Sequence, residues 1–210
     1  MIPADLSFLS EHYRYIVIEG NIGAGKTSLA HKLASDTGAL LVLEEFAENT
    51  FLPQFYKDPV KYAFPLELSF LAARFKQLKQ QFLDSGKHLI ISDYHIRKSL
   101  LFAQTNLEKE ELELFQSFYD IVTSQLREPD LVIYLDKGVN KLKNNISSRG
   151  RDFENNISET YLLNLQHAYH SLLQNYTFPK QLIINSENMD FVNNQNDYEF
   201  IINKLATLKD

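Results

Sequence analysis

YIVIEGNIGAGKTSLA, residues 15–30, decides the fold. An apolar, β-branched run (Ile16, Val17, Ile18) leads into Gly20-Asn21-Ile22-Gly23-Ala24-Gly25-Lys26-Thr27, and a helical pattern follows. These residues satisfy G-x-x-x-x-G-K-[ST] between a strand and a helix, the arrangement of a nucleotide phosphate loop. Glycines at 20, 23 and 25 let successive backbone N–H groups close on phosphate oxygens, with the positive end of the next helix behind them. Lys26 is placed to reach the β- and γ-phosphates, and the Thr27 hydroxyl to ligate Mg²⁺.

Outward from the loop, short apolar runs alternate with helical patterns. Ala39 to Leu43 reads as a second strand and ends at Glu44-Glu45; His88 to Ser92 is a third and ends at Asp93. Pro129 to Leu135 and Gln181 to Asn185 complete the set. Between them lie helical stretches at Thr27–Ser35, 49–83 with a break near Asp58-Pro59, 95–104, 109–126, a basic helix leading to Arg149, Ser158–Gln174 and 196–208. This alternation predicts an α/β fold with about five parallel strands and helices on both faces. Carboxylates at strand ends sit where ligands bind in such sheets, so Glu44 and Asp93 are candidate site residues, Asp93 in the position that holds Mg²⁺ directly or through water. Glu67 and Arg74 lie two turns apart on the long helix and share a face.

Bulk properties narrow the function. Two hundred and ten residues, 44% of them hydrophobic, suit one domain. A net charge of −6 argues against duplex binding, and the absence of cysteine excludes disulfides and thiolate metal sites. The amino terminus, MIPADLSFLS, lacks the pattern of a signal peptide and no apolar run is long enough to span a membrane, so a cytoplasmic location is expected. His167 and His170 lie three apart on a helix, but two histidines without a third ligand do not make a metal site.

From IEGNIGAGKTSLA through FYKDPVKYAFPLELSFLAARF and RGRDFE to MDFV, the chain resembles the deoxynucleoside kinases of the P-loop kinase class, particularly their bacterial members. The resemblance implies a three-layer kinase fold with a lid at about 145–157, a homodimer, and transfer of the ATP γ-phosphate to a deoxynucleoside 5′-hydroxyl with Mg²⁺. It implies that Glu44 is the general base, that Tyr56 and Glu154 hold the sugar 3′-hydroxyl, and that Tyr62 and Phe64 wall the base pocket. Arg149 and Arg151 match lid arginines over the phosphates, and Phe191 matches a residue packed against the donor adenine.

The chain departs from that pattern at three places. Asp93-Tyr94-His95 stands where an acid-Arg-Ser motif is usual, so a supporting arginine is missing and Arg97 is the nearest substitute. Asn145 replaces a further lid arginine, with Lys141 or Lys143 able to compensate in charge. Glu67 replaces the glutamine that reads the nucleobase, with Arg74 and Lys98 nearby. An ionised carboxylate only accepts, and guanine offers N1–H and N2–H₂ together, so a purine is expected, guanine ahead of adenine, with Arg74 and Lys98 donating to O6 or N7. A Glu67–Arg74 ion pair is the structural alternative. A nucleoside monophosphate kinase such as thymidylate kinase, and a non-catalytic kinase-like subunit such as the one in respiratory complex I, are the rival functions.

Overall fold

The computed structural model describes residues 6–45, 49–84, 86, 88–151, 154 and 157–208. Five strands, β1 (Tyr15–Gly20), β2 (Leu40–Val42), β3 (Ile90–Ser92), β4 (Leu131–Asp136) and β5 (Gln181–Asn185), form one sheet in the order β2-β3-β1-β4-β5. Every pairing is parallel. β1 is central and all six of its residues are buried, as a parallel strand covered on both faces requires.

Alternation along β1 divides the core. Ile16 and Ile18 face one layer with Leu29, Leu33, Ile201 and Leu205; Tyr15 and Val17 face the other with Leu78, Phe115, Leu165 and Tyr169. The first layer comprises α2 (Lys26–Thr37) and α9 (Gln195–Ala206), with α1 (Ser7–His12) beside α2. The second comprises α4 (Pro59–Asp84), α5 (Arg97–Asn106), α6 (Lys109–Thr123) and α8 (Glu159–Asn175). A smaller cluster of Phe55, Ala63, Leu66 and Phe70 joins α3 (Leu52–Phe55) to α4.

The expected parallel sheet and its five strands are present, and the break before Pro59 separates α3 from α4. Ser158 caps α8 by accepting the Tyr161 N–H at 3.1 Å. α7 (Val139–Arg149) ends at Gly150, whose positive φ of 67° closes the helix and sets Arg149 and Arg151 on either side of the turn. The sequence reading missed α1, which buries Phe8 and Leu9 against the first layer. Within the expected lid, 152–153 and 155–156 lie outside the described residues, as do 46–48 after Glu44-Glu45 and 1–5 of the amino terminus. No described helix is long and apolar enough to cross a membrane.

Candidate active site

β1 and β4 carry the chain to the crevice at the carboxyl ends of the sheet, and the phosphate loop forms its floor. Asn21 is buried and ties the loop down: its Nδ2 donates to Leu162 O and its Oδ1 accepts from Ile22 N, both at 2.8 Å. Lys26 Nζ donates to Gly20 O at 2.9 Å and Asn21 O at 3.0 Å. Burial, assisted by the like charge of Lys98, lowers Lys26 to about 8. Gly25 has φ +100°, and a Cβ there would stand 3.0 Å from Phe191 Cζ. The buried ring of Phe191 therefore packs directly over the loop and walls a cleft that Lys137, Lys141, Arg149 and Arg151 also line.

At the other end of the loop three chain segments meet on Asp93. Its Oδ2 accepts from the Thr27 hydroxyl at 2.5 Å and its Oδ1 from the Glu44 N–H at 2.8 Å. The hydroxyl and carboxylate oxygens of Thr27 and Asp93 are hard donors that converge, which is the ligand chemistry Mg²⁺ takes.

Glu44 is clamped. Arg74 Nε and Nη2 donate to its Oε1 at 2.9 and 2.6 Å, and Lys98 Nζ donates to its Oε2 at 2.6 Å. Burial would raise the carboxyl, but Lys98 and Arg74 outweigh burial and hold it well below the usual carboxylate range. The third polar arm of Arg74, Nη1, donates to the Ser99 hydroxyl at 2.7 Å. Arg74 and Lys98, expected to donate to the base, are thus both engaged by Glu44, and the Glu67–Arg74 pair is not made. Glu45 points elsewhere and accepts from Gln77 Nε2 at 2.9 Å.

Beyond Glu44 opens an apolar-walled pocket lined by Phe55, Tyr56, Leu66, Phe70, Phe102 and Tyr161. Glu67 is buried in it; Oε1 accepts from Asn106 Nδ2 at 2.7 Å, whereas Oε2 has no hydrogen-bond partner among the described residues. Burial raises Glu67 to about 7 against the pull of Arg74 and the Asn106 hydrogen bond. At the mouth, Glu154 Oε2 accepts from Arg149 Nη2 at 2.5 Å and Oε1 from Arg151 Nη1 at 3.2 Å. The arginines expected over the phosphates are thus drawn onto the glutamate expected at the sugar, where the two clefts join.

The walls differ from expectation. Tyr62 and Phe64 do not line the pocket: Tyr62 packs against the Phe55–Phe70 cluster, and Phe64, although three residues before Glu67, packs against the layer that holds Tyr15 and Leu71. Phe70, three residues past Glu67, is on that face and could have been found from helical spacing; Phe55, Phe102 and Asn106 come from other elements and carried no sequence signal. Arg97 does not substitute for the missing arginine: its guanidinium carbon lies 3.4 Å from the Tyr176 ring centroid, and it pairs with Glu128 at 2.9 Å. Tyr94 fills that position in the core, donating to Gln77 Oε1 at 2.5 Å. Asn145 instead ties α7 to the phosphate loop through Gly23 O at 2.8 Å. Of the two nearby lysines, Lys141 lines the cleft beside Phe191 and Lys143 pairs with Glu159 at 3.6 Å. His170 lies 3.2 Å from Asp136, and no group of three potential metal-ligating His, Cys, Asp or Glu side chains occurs among the described residues.

Comparison with known proteins accords with this geometry. The profile of the family described as deoxynucleoside kinase matches residues 16–209. The chain is 35% identical over 194 residues to the deoxyguanosine kinase of Bacillus subtilis (strain 168), covering 89% of this chain and 93% of that one. It is 34% identical over 176 residues to a deoxyadenosine kinase of Dictyostelium discoideum, covering 82% and 72%. The structure of deoxyadenosine kinase from M. mycoides with bound dATP matches with a TM-score of 0.79 at 29% identity, covering 91% of this chain and 99% of that one. A family match over nearly the whole length, on a chain whose phosphate loop lies beside a clamped carboxylate and a deep pocket, places it in the deoxynucleoside kinase family.

Proposed function

We propose that the protein transfers the γ-phosphate of ATP to the 5′-hydroxyl of a purine deoxynucleoside, deoxyguanosine ahead of deoxyadenosine, in nucleotide salvage. One observation carries the choice of base: Glu67, buried in the acceptor pocket, keeps an oxygen with no hydrogen-bond partner among the described residues. A carboxylate there suits the paired N1–H and N2–H₂ donors of guanine, which adenine, cytosine and thymine lack. The relatives named for deoxyguanosine and deoxyadenosine agree with a purine.

The phosphate loop from Gly20 to Thr27 holds the donor phosphates by its N–H groups, Lys26 swings from the loop carbonyls to the β- and γ-phosphates, and Phe191 packs against the donor base. Thr27 and Asp93 would hold Mg²⁺, which would supply neutralisation of phosphate charge when bound. Glu44 accepts the 5′-hydroxyl proton as that oxygen attacks in line. Tyr56 and Glu154 hold the 3′-hydroxyl, and displacement of Arg149 and Arg151 from Glu154 frees both for the transferring phosphoryl group. The chain works as one domain with its lid at about 145–157, in the cytoplasm, without nucleic acid or membrane. Leu114, Phe118 and Ile121, exposed along one stripe of α6, support a homodimer.

The test is ATP-dependent phosphorylation of the four deoxynucleosides, with their monophosphates run as acceptors beside them. Deoxyguanosine should lead. Phosphorylation of monophosphates alone would transfer the reading to a nucleoside monophosphate kinase, and ATP binding without any transfer would transfer it to a non-catalytic subunit.

A further inference from the structure

Glu67 is held asymmetrically. Asn106, from α5, fixes Oε1 with its amide, while Oε2 is buried with no partner among the described residues on a side chain that lines the pocket. The charged and titratable groups around it come from every neighbouring element: Arg74 from α4, Lys98 from α5, Glu44 from the end of β2, Tyr161 from α8 and Tyr56 from the segment after α3. The two cations favour the ionised form, but both point to Glu44, whose own charge opposes a second anion. With the Asn106 amide on Oε1, a proton taken up from solvent has its place on Oε2, the oxygen without a partner among the described residues.

We propose that Glu67, oriented by Asn106, is a proton-switched reader of the nucleobase: ionised, it receives guanine; carrying a proton on Oε2, it receives adenine. This rests on the kinase reading above. The ionised carboxylate accepts from guanine N1–H and N2–H₂, but against adenine it sets its lone pairs toward the lone pair of N1. The protonated form donates from Oε2 to adenine N1 and accepts the adenine 6-amino group on the lone pair of Oε1 that Asn106 leaves. It then offers guanine N1–H a donor instead of an acceptor. No proton passes to the base in either complex, so the balance is one proton gained from solvent by the adenine-binding form. Burial supplies the needed poise, keeping both forms populated near pH 7.

The experiment is direct competition between deoxyguanosine and deoxyadenosine, read as the ratio of their kcat/KM values, from about pH 6 to about pH 8, either side of the Glu67 value. Titration of Lys26, Glu44 and ATP cancels in that ratio. The ratio of ionised to protonated Glu67 changes tenfold per pH unit wherever its midpoint lies, so the preference for deoxyguanosine should rise by about tenfold per unit. Glu67→Gln, which donates to adenine N1 and accepts from the amino group at every pH, should give a flat ratio favouring deoxyadenosine. Titration calorimetry on the unmodified protein, in buffers of different ionisation enthalpy, gives a readout free of turnover. Deoxyadenosine should take up protons on binding above pH 7, and deoxyguanosine should release them below it. A flat ratio in an active wild-type kinase, or an unchanged slope in Glu67→Gln, overturns the switch and leaves the kinase reading standing. Phosphorylation of no deoxynucleoside overturns both.

Discussion

Lys98→Met keeps an unbranched stem in place and removes only the charge that caps Glu44. In the wild type Lys98 Nζ stands 2.6 Å from Glu44 Oε2, with the two side chains 8% and 14% exposed. A buried charge-assisted hydrogen bond is worth about 1.5–3 kcal/mol, and Glu44 would retain Arg74, so a loss of about 2 kcal/mol is expected. For a domain of this size that lowers Tm by roughly 4–8 °C at pH 7. The pH dependence identifies the cause. The folded state holds Glu44 below its ordinary value of 4.5, so the stability contributed by its ionisation is complete above that value and is lost as pH falls through the lower folded value. The gap in Tm between wild type and variant should therefore be full at neutral pH and narrow below about pH 4. Differential scanning calorimetry across pH gives both quantities. A gap that persists undiminished in acid would show that the variant disturbs packing and that Lys98 does not stabilise the Glu44 charge.

Two further substitutions probe the donor and acceptor sides separately. Glu44→Gln should lower kcat by at least about a hundredfold, the lower end of what a positioned proton acceptor contributes, with ATP affinity little changed in equilibrium titration; unchanged turnover removes Glu44 from the mechanism. Gly25→Ala forces a side chain onto a backbone at φ +100° and to 3.0 Å from Phe191, a strain of about 1–2 kcal/mol, and should weaken ATP about tenfold in the same titration. Normal ATP affinity in that variant would dissociate the Gly25–Phe191 contact from donor binding.

The phosphate loop was legible because its chemistry is contiguous: eight residues in order specify a turn, a ring of N–H donors and a cation. Glu44 and Asp93 were legible from their places at strand ends, and Glu67 with Arg74 from helical spacing. Pairing across elements was not legible. Arg74 shares a face with Glu67, yet its guanidinium goes to Glu44, 30 positions away in sequence, and to Ser99, because the sheet edge and α5 bring both against it. Asn106, 39 positions from Glu67, emerges as its partner only once α5 lies along α4. The same limit applies at Arg97, the nearest arginine in sequence to the vacant position but turned by its helix toward Tyr176.

The engagement of Arg74 by Glu44 explains why one pocket holds two carboxylates of opposite character. A carboxylate has about four acceptor sites. Arg74 fills two on Glu44 with paired N–H groups and Lys98 a third, leaving one, on Oε2, for a hydroxyl. So held, Glu44 is a weak base, suited to orienting the attacking hydroxyl more than to stripping its proton beforehand, and a loose phosphoryl-transfer transition state asks for little more. The cations that depress Glu44 are withheld from Glu67, which burial then pushes the other way. Restoring a cation to Glu67 would abolish its poise, and taking one from Glu44 would restore basicity at the expense of a fixed geometry. The opposite states of the two carboxylates are therefore one consequence of where Arg74 and Lys98 point, and the acceptor hydroxyl and the base are read by the same redistribution of charge.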